Sequence, residues 1–288
     1  DGWNFFAGNQ GLWDHDMGIW DIQTPVVMGQ CPAAALAYRQ GYIKEAPPAV
    51  TELLSLDNVY NFKGTAYYPA EGTDSMWQER LGHDNVASRA KAGADQLAFF
   101  VGPVERWFTN VPPRVESVKL DDYIDHKNKR VRSLTQEIIW DFGKGVVTIN
   151  APLVQGACGF LKDAGPQKLS CLRVHSRNEY ASIMAVALDG KPLAASQRIL
   201  VQAATQDLPY GFETKQKDNG YVTITAKGGY PLNVREIDAM VALLNTNLSR
   251  ATVLDPNGYP TTRQAASTRS DKGLQITLPK DALYVLVE

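Results

Sequence analysis

Ala181-Ser182-Ile183-Met184-Ala185-Val186-Ala187-Leu188, then Asp189-Gly190-Lys191-Pro192, then Arg198-Ile199-Leu200-Val201-Gln202-Ala203 decide the fold of the second half. Two apolar runs of strand length flank a turn built from Asp, Gly and Pro, residues that supply turn conformations. The same grammar recurs outward in both directions. Upstream, Ile138-Ile139-Trp140-Asp141-Phe142, Gly143-Lys144-Gly145 and Val146-Val147-Thr148-Ile149-Asn150 read as strand, turn and strand, followed by a strand over residues 169–175. Downstream, strands are expected over 212–217 and 221–225 around Asp218-Asn219-Gly220, then over 241–244, 251–254, 274–278 and 283–287. Short strands at regular spacing with Gly, Asn and Asp turns predict an antiparallel β-sandwich over residues 133–288.

Residues 1–112 read differently, as a mixed α/β segment. Trp3-Asn4-Phe5-Phe6-Ala7 is expected to be a buried strand. Pro32-Ala33-Ala34-Ala35-Leu36-Ala37-Tyr38-Arg39-Gln40 with Gly41 is expected to be a helix, because Pro fits the first turn and Gly the position just past the end. Further helices are expected over 45–56, from Met76 to Gly82 with Asp74 or Ser75 as cap, and over 86–99, with one more turn at 104–108. Pro112-Pro113 and the charged run from Lys119 to Arg130 read as a linker over 113–132. The fold class predicted is therefore α+β and multidomain.

Composition narrows the function. The chain has 288 residues, 44% apolar and 21% charged, with a net charge of −2 and no basic block, which disfavours nucleic acid as a partner. No run approaches the ~18 apolar residues of a membrane span, and residues 1–10 carry no signal peptide. Cys31, Cys158 and Cys171 lack metal-ligand spacing; three buried free thiols is the simpler reading, and a Cys158–Cys171 disulfide with one free thiol the other. No metal or other cofactor is expected.

Candidate functional residues gather near the start. Trp3, Asn9, Trp13, His15 and Trp20 supply aromatic faces for sugar C–H groups and polar groups for hydroxyls; the plainer alternative is that the aromatics fill a seam between sheet and helices. Asp14 and Asp16 flank His15, a pattern open to acid–base or Ca²⁺ chemistry or to a solvated acidic loop. Glu71, Asp74 and Glu79 lie around Trp77, and paired carboxylates are what glycoside hydrolysis requires; Asp74 serves equally as a helix cap. Asp14, Asp16 and Glu79 are the catalytic candidates. No G-x-S-x-G elbow or phosphate loop is present, and His83, His126 and His175 receive no role.

Pro25-Val26-Val27-Met28-Gly29-Gln30-Cys31-Pro32-Ala33-Ala34-Ala35-Leu36-Ala37-Tyr38-Arg39-Gln40-Gly41 resembles the segment after the last barrel strand in bacterial (β/α)8 glycoside hydrolases. The β half, with Gln155-Gly156, Gly159, Ala187-Leu188-Asp189-Gly190-Lys191-Pro192-Leu193 and Ser196, resembles the sandwich appended to such enzymes. The resemblance implies the C-terminal portion of such a hydrolase, acting on a polysaccharide or oligosaccharide and secreted or periplasmic. The last barrel strand would then face substrate, and the catalytic carboxylates would sit on strands that nothing here occupies. A non-catalytic carbohydrate-binding or assembly module is the alternative, with the first strand free to pair with another chain.

Overall fold

The computed structural model describes residues 24–60, 94–112, 114–217 and 220–288. The expected strand at 3–7, the helix at 76–82 and residues 86–93 of the next helix lie outside the described residues. The chain is mostly β, with several antiparallel sheets. Its contacts divide it into two units: Lys44–Gly143, and described residues 24–43 together with Lys144–Glu288. The expected linker at 113–132 instead carries short strands of the first unit.

In unit Lys44–Gly143, strand β1 (Val50–Ser55) pairs in parallel with β2 (Val104–Thr109) and antiparallel with β3 (Arg114–Ser117). A helix is expected over 45–56 and a helical turn at 104–108; a helical turn begins only at Leu56, and Val50–Ser55 and Val104–Thr109 are instead strands. Each takes its conformation from the other, through a pairing that links residues far apart in sequence, which overrides local propensity. The only helical turns described here are Leu56–Tyr60, Ala98–Val101 and a 3₁₀ turn at Leu120–Asp122. Strands β4 (Ile124–Asp125), β5 (Arg130–Arg132) and β6 (Ile138–Asp141) form an antiparallel ladder. Ala49, Val101, Ile124 and Val131 make a small core against which Trp140 packs, with Phe100 and Phe142 at ring-centroid distances of 5.7 and 5.6 Å. Glu52 is fully buried on β1, and its carboxylate accepts from Arg106 Nε at 2.7 Å. A buried carboxylate is tolerated only with such a partner.

The second unit holds the remaining strands: β7 (Val146–Asn150), β8 (Val154–Gly159), β9 (Gln167–Lys168), β10 (Leu172–Ser176), β11 (Ala181–Ala187), β12 (Ile199–Ala204), β13 (Asp207–Tyr210), β14 (Glu213–Gln216), β15 (Val222–Ala226), β16 (Gly229–Val234), β17 (Ala239–Leu243), β18 (Ala251–Leu254), β19 (Pro260–Gln264), β20 (Ser267–Ser270), β21 (Gly273–Thr277) and β22 (Tyr284–Val287). One sheet runs β19-β18-β22-β12-β11-β8-β7, the other β20-β21-β17-β10-β9. Their facing residues form one core, including Ile183, Ile199 and Val285 from the first sheet and Leu172, Val241, Leu274 and Ile276 from the second. Burying each such side chain contributes about 1.5–3 kcal/mol. The arrangement is sandwich-like, as the regularly spaced short strands and their Gly, Asn and Asp turns predict. The strand over 181–187 and its partner at 199–204 pair antiparallel, Val186 opposite Leu200, around the Asp189 turn.

The central strands of the first sheet, β8, β11, β12, β18 and β22, are buried on both faces. After the short turn α1 (Pro25–Met28), helix α2 (Cys31–Arg39) covers the sheet's other side, so Ala33 and Ala37 pack with Val154, Val186, Leu200 and Leu286. Pro32 stands in the first turn of α2 and Gly41 adopts φ +63°, the punctuation expected from sequence. This double burial explains why β12 is buried at every position, a pattern alternation alone does not predict. No disulfide forms: Cys31 is exposed, Cys158 half-buried and Cys171 buried, so the expectation of three buried thiols holds only for Cys171.

Candidate binding pocket

Where β12 leaves the sheet, the chain makes a projecting pair of two-stranded ribbons, β13 with β16 and β14 with β15. Gly228, at φ +67°, lets the ribbon close: a Cβ there would lie 2.7 Å from Phe212 N and closer still to Tyr210 O. At the ribbon base lies a pocket of about 830 Å³. Glu179, Asp207, Arg235, Gln206 and Asn233 give its polar lining, and Tyr180, Phe212, Leu208 and Pro209 its apolar lining.

Backbone hydrogen bonds fix these residues. Arg235 N donates to Gln206 O at 2.8 Å, and Thr205 Oγ1 donates to Arg235 O at 2.5 Å. Asn178 Nδ2 donates to Glu236 O at 2.8 Å while its Oδ1 accepts from Asp238 N at 2.8 Å, tying the segment before β11 to the one before β17. Asp207 Oδ2 accepts from Val26 N at 2.9 Å, so one carboxylate oxygen is committed to the first turn of α1. Glu179 and Arg235 pair at 3.9 Å with both side chains exposed, a contact of small energetic weight that leaves both groups free to bind a ligand.

Tyr180 is the most perturbed group in the pocket. Its hydroxyl lies 3.4 Å from Cys158 Sγ, and its ring meets Phe160 edge-on at 5.7 Å. The bond to Cys158, then burial, push its pKa up to about 12. At neutral pH it is therefore a neutral phenol that offers a hydrogen bond and a ring face, not a base. Convergent amides, carboxylates, a guanidinium and aromatic rings equip the site to hold a polyhydroxylated ligand.

The candidates read from sequence, Trp3, Asn9, Asp14, Asp16, Trp13, His15, Trp20 and Glu79, all lie outside the described residues. The pocket residues were missed because they are scattered over 179–235 and share no motif; the Gly211 and Gly228 kinks, both at positive φ, were the available signal. Among the described residues no group of His, Cys, Asp and Glu is placed to hold a metal, and no helix is long and apolar enough to cross a membrane. No protein-family model, curated protein or solved structure matches the chain.

Proposed function

We propose that the chain is a carbohydrate-active protein whose β-rich unit binds oligosaccharide in the pocket at the ribbon base. The observation that carries this reading is the lining: Gln206, Asn233, Glu179 and Arg235 converge on a space flanked by Tyr180 and Phe212. Amide and carboxylate groups pair with vicinal hydroxyls, while rings stack on the C–H face of a pyranose.

The resemblance of residues 25–41 and of the β half to the C-terminal part of (β/α)8 glycoside hydrolases supports the same substrate class. On this reading the unit is the sandwich appended to such a hydrolase, and the protein works outside the cytoplasm, secreted or periplasmic, where polysaccharide is met. The commitment of Asp207 to Val26 N favours binding over bond cleavage at this pocket.

A glycan array probed with the 288-residue chain tests the proposal. The expected result is selective retention of a polysaccharide fragment, lost on Phe212→Ala and Asn233→Ala. Absence of binding to every glycan overturns it.

A further inference from the structure

The outward face of the β20-β21-β17-β10-β9 sheet carries a second feature. Residues directly opposite one another across antiparallel strands share a face. One row is therefore Lys168, Arg173, Ala242, Gln275 and Thr268, and the next is His175, Met240 and Thr277. The intervening row, Val174, Val241 and Ile276, is buried in the core, which confirms that the first two rows face outward. Lys168, Arg173, His175, Met240, Ala242 and Gln275 surround a depression of about 270 Å³, and no carboxylate lines it.

Two cations thus stand directly opposite one another on a chain whose net charge is −2. Like charges in that register are destabilising. Neither Lys168 nor Arg173 has an ion-pair partner among the described residues. Arg173 Nη1 donates to Leu169 O, which anchors the guanidinium. The Asp238 carboxylate, outside this lining, is engaged by Arg177 at 2.7 and 2.9 Å, and that hydrogen bond is the main reason its pKa is lowered. Gln275 Nε2 donates to Met240 Sδ at 3.8 Å, which leaves the amide oxygen to face the depression.

We infer that this face binds the carboxylate of a uronic-acid residue in an acidic glycan. The carboxylate lies between Lys168 and Arg173, the matched geometry for a fixed guanidinium. The ring covers Met240 and Ala242, and a hydroxyl reaches Gln275. The depression falls just below the roughly 300–1,000 Å³ of ordinary ligand pockets, so it takes one sugar residue, not a whole chain. The inference rests on the glycan reading above and adds to it a charge preference at a separate place in the same unit.

The test is calorimetric titration of the 288-residue chain with a glucuronate-terminated trisaccharide, its neutral glucose counterpart and inorganic sulfate, at low and high salt. Variants are Lys168→Gln/Arg173→Gln, which removes the opposed charges and keeps side-chain length, and Phe212→Ala at the other pocket. The acidic trisaccharide is expected to weaken about tenfold in the double variant and on raising salt, and to be indifferent to Phe212→Ala at this site. The neutral trisaccharide is expected to ignore the double variant. Acidic binding unchanged by Lys168→Gln/Arg173→Gln overturns the inference alone, provided the neutral sugar still depends on Phe212. Sulfate binding as tight as the acidic sugar also overturns it, since the patch then recognises charge without sugar. No binding of the acidic trisaccharide, with other glycans still retained on the array, overturns this inference alone; no binding of any glycan overturns the glycan reading and this inference with it.

Discussion

The hydroxyl of Tyr180 and the sulfur of Cys158 stand 3.4 Å apart, and that contact governs the phenol in the pocket wall. Because the folded-state pKa is raised from 10.0 to about 12, the folded protein holds this proton where the unfolded chain has released it. The stabilisation is complete below pH 10 and is lost as pH rises toward 12. The tyrosine absorbance titration of the wild type minus that of Tyr180→Phe is expected to rise well above pH 10. In Cys158→Ala the same difference is expected to shift down. A difference curve centred at 10 in the wild type would contradict the contact.

Gln155 pins the two sheets together. Its Oε1 accepts from both Cys171 N and Leu172 N at 2.9 Å, and its Nε2 donates to Ser170 Oγ at 2.6 Å. The residue is 1% exposed, so Gln155→Leu strands two buried N–H groups. A loss of about 2–4 kcal/mol is expected in urea unfolding, with the slope unchanged. A loss within experimental error would show that water or a shifted backbone replaces the amide.

Docking of α2 on the outer side of the first sheet depends on polar contacts as well as on alanines. Gln202 Oε1 accepts from Ala33 N at 3.1 Å and its Nε2 donates to Gln30 O at 3.0 Å, while Tyr284 Oη donates to Gly29 O at 2.9 Å. Tyr284→Phe is expected to cost about 1 kcal/mol and to speed amide exchange in residues 33–39 more than in β11. Uniform acceleration across the unit would argue that the helix and sheet open together.

Asp189 organises the turn between β11 and β12. Burial raises the pKa of its carboxyl, but hydrogen bonds from Gln197 N, Ser196 Oγ and Lys191 N outweigh that effect and hold it below the usual carboxylate value of 3.8. A depressed folded-state pKa gives stability that is present above 3.8 and lost as pH falls through the lower folded value. Asp189→Ala is therefore expected to melt below the wild type at neutral pH, by about 1–2 kcal/mol from the lost hydrogen bonds, with the gap closing in acid. A gap that persists unchanged at the lowest pH would show that the charge is immaterial.

What was legible in the sequence follows from locality. The α2 helix announces itself through Pro32 and Gly41, and the strands at 181–187 and 199–204 through apolar runs around a turn. Strand β8 did not, because Gly156, Ala157 and Gly159 carry little strand preference; a Cβ on Gly156 would lie 2.7 Å from Met184 Cγ, so closeness to β11 sets the residue. Strand β1 is not legible, because its partners at 104–109 and 114–117 are distant in sequence. The pocket was invisible for the same reason: Glu179, Gln206 and Asn233 meet only after β11, β12 and β16 are in place.

The most direct test of the account is the affinity of the 288-residue chain for its best array glycan, measured calorimetrically for wild type, Phe212→Ala and Asn233→Ala. Loss of the ring face and of the amide is expected to weaken binding by about tenfold each, with melting temperature little changed. Unchanged affinity in both variants would place the glycan elsewhere and contradict the pocket at the ribbon base.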